Sequence, residues 1–288
     1  MRFLKSTSPL VLLALVCVAF ADKPAPNAKQ KLSAGQTDFC RIIHGCKLEN
    51  PGGFCPSAKE VGPASFTFDS TRCLEARTLQ SRGVGPSHPI VGYPLYRFLG
   101  MEYRVIYEVT DTISVSRERL EYLLSDLPLS AKLVSHYQNQ AYTAQYTDGA
   151  HAHFSGTKGG HLKGEARLIS GGYSEKRLFY FGSGTAEVAF WKLRGPALMD
   201  FSYWPVPGKS HTVGYKMKIL VFPGNGVINK IMNMGLFRKI VLGKVRDVLD
   251  DISETANKLN AAGGADIQRS SAWSAEEKKK VHDFFKLP

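Results

Sequence analysis

From Glu102 to Phe222 the chain alternates apolar and polar positions with a period of two, the signature of strands that bury one face. The stretch Glu102–Ser116 sets Tyr103, Val105, Tyr107 and Val109 against Arg104, Glu108 and Thr110. The same alternation returns in Gln140–Thr147, with Tyr142, Ala144 and Tyr146 on one side, and in Leu162–Ser170, with Leu162, Ala166 and Leu168. It continues in Ala197–Val206, with Met199, Phe201 and Tyr203, and in His211–Phe222, with Val213, Tyr215, Met217, Ile219 and Val221. A short strand is expected over His151–Gly156, and a long aromatic one over Arg177–Leu193, bent at Gly182-Ser-Gly184. Two helices interrupt the series after its first strand: Arg117–Ser125, capped by Ser116, and Leu129–Tyr137, beyond Pro128.

The period changes at Val227. Val227–Leu259 lies between the turn Pro223-Gly-Asn-Gly226 and the glycines of Ala261-Ala-Gly-Gly264, which read as helix start and stop signals. A continuous helix here is about 50 Å long at ~1.5 Å per residue, with Gly235 and Gly243 as places where it bends. Its second half is amphipathic, with Val248, Leu249, Ile252, Ala256 and Leu259 opposed by Asp247, Asp250, Asp251 and Glu254. Its first half, including Met232, Met234, Phe237, Ile240 and Val241, is apolar nearly all round, so it must be covered on more than one side. A sheet with one apolar face and a single element large enough to cover it predict an α+β fold, in which about seven antiparallel strands curl around this helix.

That order of elements resembles the START-like (SRPBCC) helix-grip superfamily over about residues 101–260. The resemblance rests on element order and length, without a diagnostic motif. It implies an apolar ligand, such as a lipid, fatty acid or sterol, held between sheet and helix. Inward-facing Tyr107, Tyr146, Phe201, Tyr203, Tyr215 and Met217, with Met234, Phe237 and Val241 of the helix, are the candidate ligand contacts. Small residues beside them, such as Ala144, Gly164 and Ala166, leave room for a pocket.

The flanks change the picture. Met1–Ala21 has a basic start (Arg2, Lys5), an apolar core over Pro9–Phe20 and an Ala-Phe-Ala cleavage site, and so reads as a signal peptide removed after Ala21. An exported destination, secreted or periplasmic, follows. Residues 22–100 are expected to form a flexible lead (Asp22–Thr37), a cysteine-bearing extension (Asp38–Arg77) and a connector (Gly83–Tyr96). The START-like domain spans 101–262, and 263–288 is a tail with a short helix opened by the capping box Ser274-x-x-Glu277. Cys40, Cys46, Cys55 and Cys73 are even in number and clustered, which points to two disulfides with three possible pairings. Their spacing lacks the close Cys pair of a zinc site.

The formal charge is +12, or +10 without Arg2 and Lys5, which favours anionic surfaces as partners. No basic block or nucleic-acid motif is present, so nucleic acid is not an expected partner. Lys230, Arg238, Lys239, Lys244 and Arg246 fringe the apolar half of the long helix, a combination that suits an anionic membrane surface.

Chemistry is sparse. His151-x-His153 with His161 is the one metal candidate, and Glu165 with Arg167 or Asp111 are the acid–base candidates, each explained as well by a solvated surface. No catalytic motif and no cofactor fingerprint occurs, and no cofactor is expected. Two alternatives to a ligand carrier remain: an enzyme of cyclase or hydrolase type on the same scaffold, or an interaction protein acting through its disulfide-bearing region.

Overall fold

The computed structural model describes residues 31–64, 66–86, 94–159, 162–188 and 191–288. The signal-peptide reading, His161 and the tip of the Arg177–Leu193 stretch lie outside these residues.

Seven antiparallel strands form one sheet: β1 (Val105–Ile113), β2 (Tyr142–Tyr146), β3 (His153–Lys158), β4 (Leu162–Gly172), β5 (Arg177–Val188), β6 (Trp191–Val206) and β7 (Lys209–Val221). Their order is β1-β7-β6-β5-β4-β3-β2, so the first strand crosses to pair with the last and the rest is a meander. The stretch Arg177–Leu193 is not one bent strand, because β5 ends at Val188 and β6 begins at Trp191.

Numbered in chain order, the helices before the sheet are α1 (Ala34–Gly45), α2 (Ala58–Val61), α3 (Ser70–Ser81) and α4 (Pro94–Leu99). Between β1 and β2 lie α5 (Arg117–Ser125) and α6 (Leu127–Gln138), each with a side-chain N-cap, from Ser116 and Asp126. After β7 come α7 (Gly226–Asn233), α8 (Gly235–Ala262), α9 (Ala265–Arg269) and α10 (Ala275–Phe284).

The long helix is interrupted once. Met234 takes an extended conformation (φ −62°, ψ 138°) between α7 and α8, while the helix runs through Gly243 without a break. A single core lies between the concave sheet face and α8. It joins Tyr107, Val109, Met199, Phe201, Tyr203, Tyr215 and Met217 to Phe237, Val241, Val245, Val248, Leu249 and Ile252.

The convex face is buried as well. Phe179 and Phe181 of β5, Leu198 of β6 and Leu220 of β7 pack against Phe39, Ile42, Ile43, Leu79, Leu95, Tyr96 and Leu99 of the N-terminal helices. The cysteine-bearing segment packs on the sheet, and α1 begins inside the expected flexible lead, capped by Ser33 and Gln36. Burial of each such side chain contributes about 1.5–3 kcal/mol. Disulfides Cys40–Cys55 and Cys46–Cys73 tie α1 to the following turn and to α3. Glu75 of α3 then reaches the sheet through Arg104 at 2.5 Å and Lys218 at 3.4 Å.

The tail docks on the domain. Ile267, Trp273, Val281 and Phe284 enter the main core. Tyr122 donates to the Lys280 carbonyl, Arg119 to that of Leu287, and Lys132 pairs with Glu277 at 2.8 Å.

Candidate functional site

Seven of the nine candidate contacts are buried on the concave side in one cluster: Tyr107, Phe201, Tyr203, Tyr215, Met217, Phe237 and Val241. Tyr146 is half-buried beside them, and Met234 is 57 % exposed at the break between α7 and α8. Met234 therefore sits apart from the inner face, because the chain leaves helical geometry there and turns its side chain outward. Two pronounced clefts lie elsewhere, one of about 590 Å³ between Arg117 and the β6–β7 turn and one beside α10, and neither opens between sheet and α8.

The strand register explains how the concave face is shaped. Ala144, Gly156, Gly164, Gly184 and Gly195 stand opposite one another across β2, β3, β4, β5 and β6. The next row inward, Phe154, Ala166, Gly182 and Ala197, holds one large side chain. Four strand spacings make this small-residue band about 19 Å long. The glycines also let neighbouring strands approach: a Cβ on Gly156 meets the Thr143 carbonyl at 3.0 Å, and one on Gly195 meets that of Phe222 at 3.1 Å. The sheet curls where side chains are missing.

Beyond this band the concave face carries phenols. Tyr203 donates to Glu121 at 3.0 Å, Tyr146 to the Ser125 carbonyl at 2.9 Å, and Tyr107 to the Met232 carbonyl at 2.9 Å. Tyr180, on the same face, has no hydrogen-bond partner for its hydroxyl among the described residues, and burial pushes its pKa far up. Burial likewise raises that of Tyr215 to about 12.

On the other side of the band, in the row Tyr142–Lys158–Leu162, stands a residue the sequence reading passed over. Lys158 is 7 % exposed. Its ammonium donates to Gln140 Oε1 and, at 3.2 Å, to the Tyr142 hydroxyl, and lies 4.7 Å from the centre of the Tyr142 ring. The Tyr142 hydroxyl in turn donates to Asp251 of α8 at 2.9 Å. The signal was parity: with β3 running to Lys158 instead of ending at Gly156, Lys158 shares the inward side of Phe154.

The α7–α8 corner is the largest departure from expectation. Its apolar half is not covered all round: Val227 is 68 %, Leu236 71 % and Ile240 37 % exposed, alongside Met234. Residues 222–246 contain Lys230, Arg238, Lys239, Lys244 and Arg246 and no carboxylate. Lys244 pairs with Asp247 and Arg246 with Asp111, whereas Lys230, Arg238 and Lys239 have no acidic partner among the described residues. The Arg246 pair also holds Asp111 at the solvent edge of β1, not in the core.

The other chemical candidates fall on the convex side or the rim. His153 meets Glu165 at 3.4 Å and Arg167 at 3.3 Å on the face opposite Phe154, and His151 stacks on Tyr146. They do not converge in a pocket. Among the described residues no group of three or more His, Cys, Asp or Glu is arranged to hold a metal, and no helix is long and apolar enough to cross a membrane.

No family model matches the chain, and no curated protein matches it. Solved structures do match. Ara h 8.0201 shares 10 % identity over 52 % of this chain and 96 % of its own, with a TM-score of 0.41. A Bacillus thuringiensis protein shares 12 % over 52 % and 97 %, at 0.36, and XoxI from Bacillus cereus 11 % over 52 % and 94 %, at 0.37. Likeness at this level carries no functional information. The chain's own architecture is a helix grip, a seven-stranded antiparallel sheet curled around a long C-terminal helix.

Proposed function

We propose that the protein is an exported START-like (SRPBCC) carrier that binds one apolar or amphipathic molecule between the sheet and α8 and exchanges it at an anionic membrane through the α7–α8 corner. The observation that carries this reading is the concave face itself. A band of small residues about 19 Å long lies beside the buried ring of Tyr180, whose hydroxyl has no hydrogen-bond partner among the described residues. Tyr146, Tyr173 and Tyr203 lie near that phenol, Phe154 packs edge-on against its ring, and Phe237 and Val241 of α8 belong to the same buried cluster.

The corner supports the second part. Four exposed apolar side chains interleaved with Lys230, Arg238 and Lys239, which have no acidic partner among the described residues, match what an anionic headgroup layer attracts. Two disulfides suit an oxidising compartment, in keeping with removal of residues 1–21.

Displacement of a fluorescent fatty acid tests the binding site. Gly164→Leu fills the band and is expected to weaken binding at least tenfold, whereas the exposed Lys163→Leu leaves it unchanged. Equal affinity in both variants contradicts the site.

A further inference from the structure

The second row of the concave face carries a charge that the apolar-ligand reading leaves unexplained. Lys158 is more than nine-tenths buried, yet no carboxylate lies within ion-pair distance of its ammonium among the described residues. Its two acceptors are neutral oxygens, on Gln140 and Tyr142, and a lysine has a third N–H to give. Charges taken out of water are ordinarily paired, because desolvation alone disfavours them strongly.

The groups facing it do not supply a direct partner. From α8, Asp251 is engaged by the Tyr142 hydroxyl, and Asp247 pairs with Lys244, whose own charge opposes that of Lys158. The strand position matters equally. Lys158 is two residues beyond Gly156 on the same side of β3, so its stem borders the small-residue band where the proposed ligand lies.

We infer that Lys158 is the headgroup anchor of the site, so that the ligand is an amphiphile ending in a carboxylate, with its apolar body along the Gly156–Gly164–Gly184 row. The inference rests on the ligand site proposed above and adds the chemical class. A monoanion is the match because one buried cation is available. A phosphate dianion needs a second one, and the nearby Lys244 is already paired. The Tyr142 hydroxyl, tied to Asp251, sets the orientation of the ammonium. Burial lowers the pKa of Lys158 to about 8, and a bound carboxylate raises it again.

The test compares palmitic acid with hexadecanol and with methyl palmitate on the full mature protein, in the wild type, Lys158→Met and Lys158→Arg. Wild type is expected to bind the acid roughly 10- to 100-fold more tightly than the two neutral analogues, the range for a charge-assisted hydrogen bond. Lys158→Met abolishes that preference while still binding hexadecanol, and Lys158→Arg retains part of it. The wild-type preference for the acid fades as pH rises above 9. Equal wild-type affinity for all three molecules overturns the anchor and leaves the apolar site standing. Absence of binding by any of them overturns both. The wild-type comparison decides the matter even where Lys158→Met fails to fold.

Discussion

The hydroxyl of Tyr107 on β1 donates to the main-chain carbonyl of Met232, 2.9 Å away and 125 residues along the chain. Met232 lies in the last turn of α7, where the extended Met234 interrupts the helical hydrogen-bond ladder and leaves carbonyls without partners. Tyr107 replaces one of those bonds from inside the core, and Arg238 of α8 stacks 5.3 Å above its ring. One side chain therefore holds both sides of the helix break against the sheet.

Tyr107→Phe keeps the ring and removes the bond. The loss leaves a buried carbonyl unsatisfied and is expected to cost about 1–3 kcal/mol. Hydrogen exchange should quicken over residues 226–240 more than over β6. A uniform change across the sheet would show that the bond does not control the break.

Reduction should act on the sheet as well as on the N-terminal helices. The Cys40–Cys55 and Cys46–Cys73 bridges close loops of 15 and 27 residues, each worth about 3–3.5 kcal/mol in the chain-entropy account. Loosening of α1 and α3 uncovers Phe179, Phe181, Leu198 and Phe222 on the convex face. Melting followed with and without reductant should show a lower midpoint and aggregation in the reduced protein. An unchanged midpoint would mean that packing alone holds the N-terminal helices in place.

The exposed corner should bind vesicles without contributing to stability. Leu236→Asp with Ile240→Asp is expected to abolish sedimentation with phosphatidylserine vesicles and to leave the melting midpoint within a few degrees of wild type. Lys230→Gln and Lys239→Gln each remove about 1 kcal/mol of surface attraction, and salt weakens the wild-type interaction. Equal binding to neutral vesicles would contradict the role of the cations.

Stability should rise with pH between about 8 and 10. The folded pKa of Lys158 is lowered to about 8, first by burial, whereas the unfolded lysine titrates near 10.5. Between these values the unfolded chain binds the extra proton, so folding gains stability as pH increases, by up to roughly 3 kcal/mol. The gain is absent below pH 8, where both states are charged. Near pH 10 it meets an opposing effect, because Tyr107, Tyr180 and Tyr203 are raised by burial and their unfolded forms ionise first. Urea unfolding at pH 7.5 and 9.5 should show the increase in wild type and a flat response in Lys158→Met. Parallel responses would place the titration elsewhere.

The sheet was legible because its strands alternate cleanly: Tyr107, Val109, Phe201, Tyr203, Tyr215 and Met217 all face the core as their parity requires. The amphipathic half of α8 was legible for the same reason, from Val248 to Leu259. The N-terminal packing was not. Its trace was the consecutive apolar run Leu178-Phe-Tyr-Phe181, which alternation alone reads as one apolar face but which means a sheet buried on both. The apolar start of the long helix misled in the opposite direction, since an all-apolar segment implies cover that the described residues do not provide. The disulfide pairing and the docking of Val281 and Phe284 depended on contacts across the whole chain, which local pattern does not encode.

Native mass spectrometry of the protein purified from its native source, followed by organic extraction, tests the central claim most directly. The account predicts a chain beginning at Asp22 with two intact disulfides and one bound organic acid per molecule. A clean mass without adduct, the disulfides still intact, would contradict a ligand site between sheet and helix.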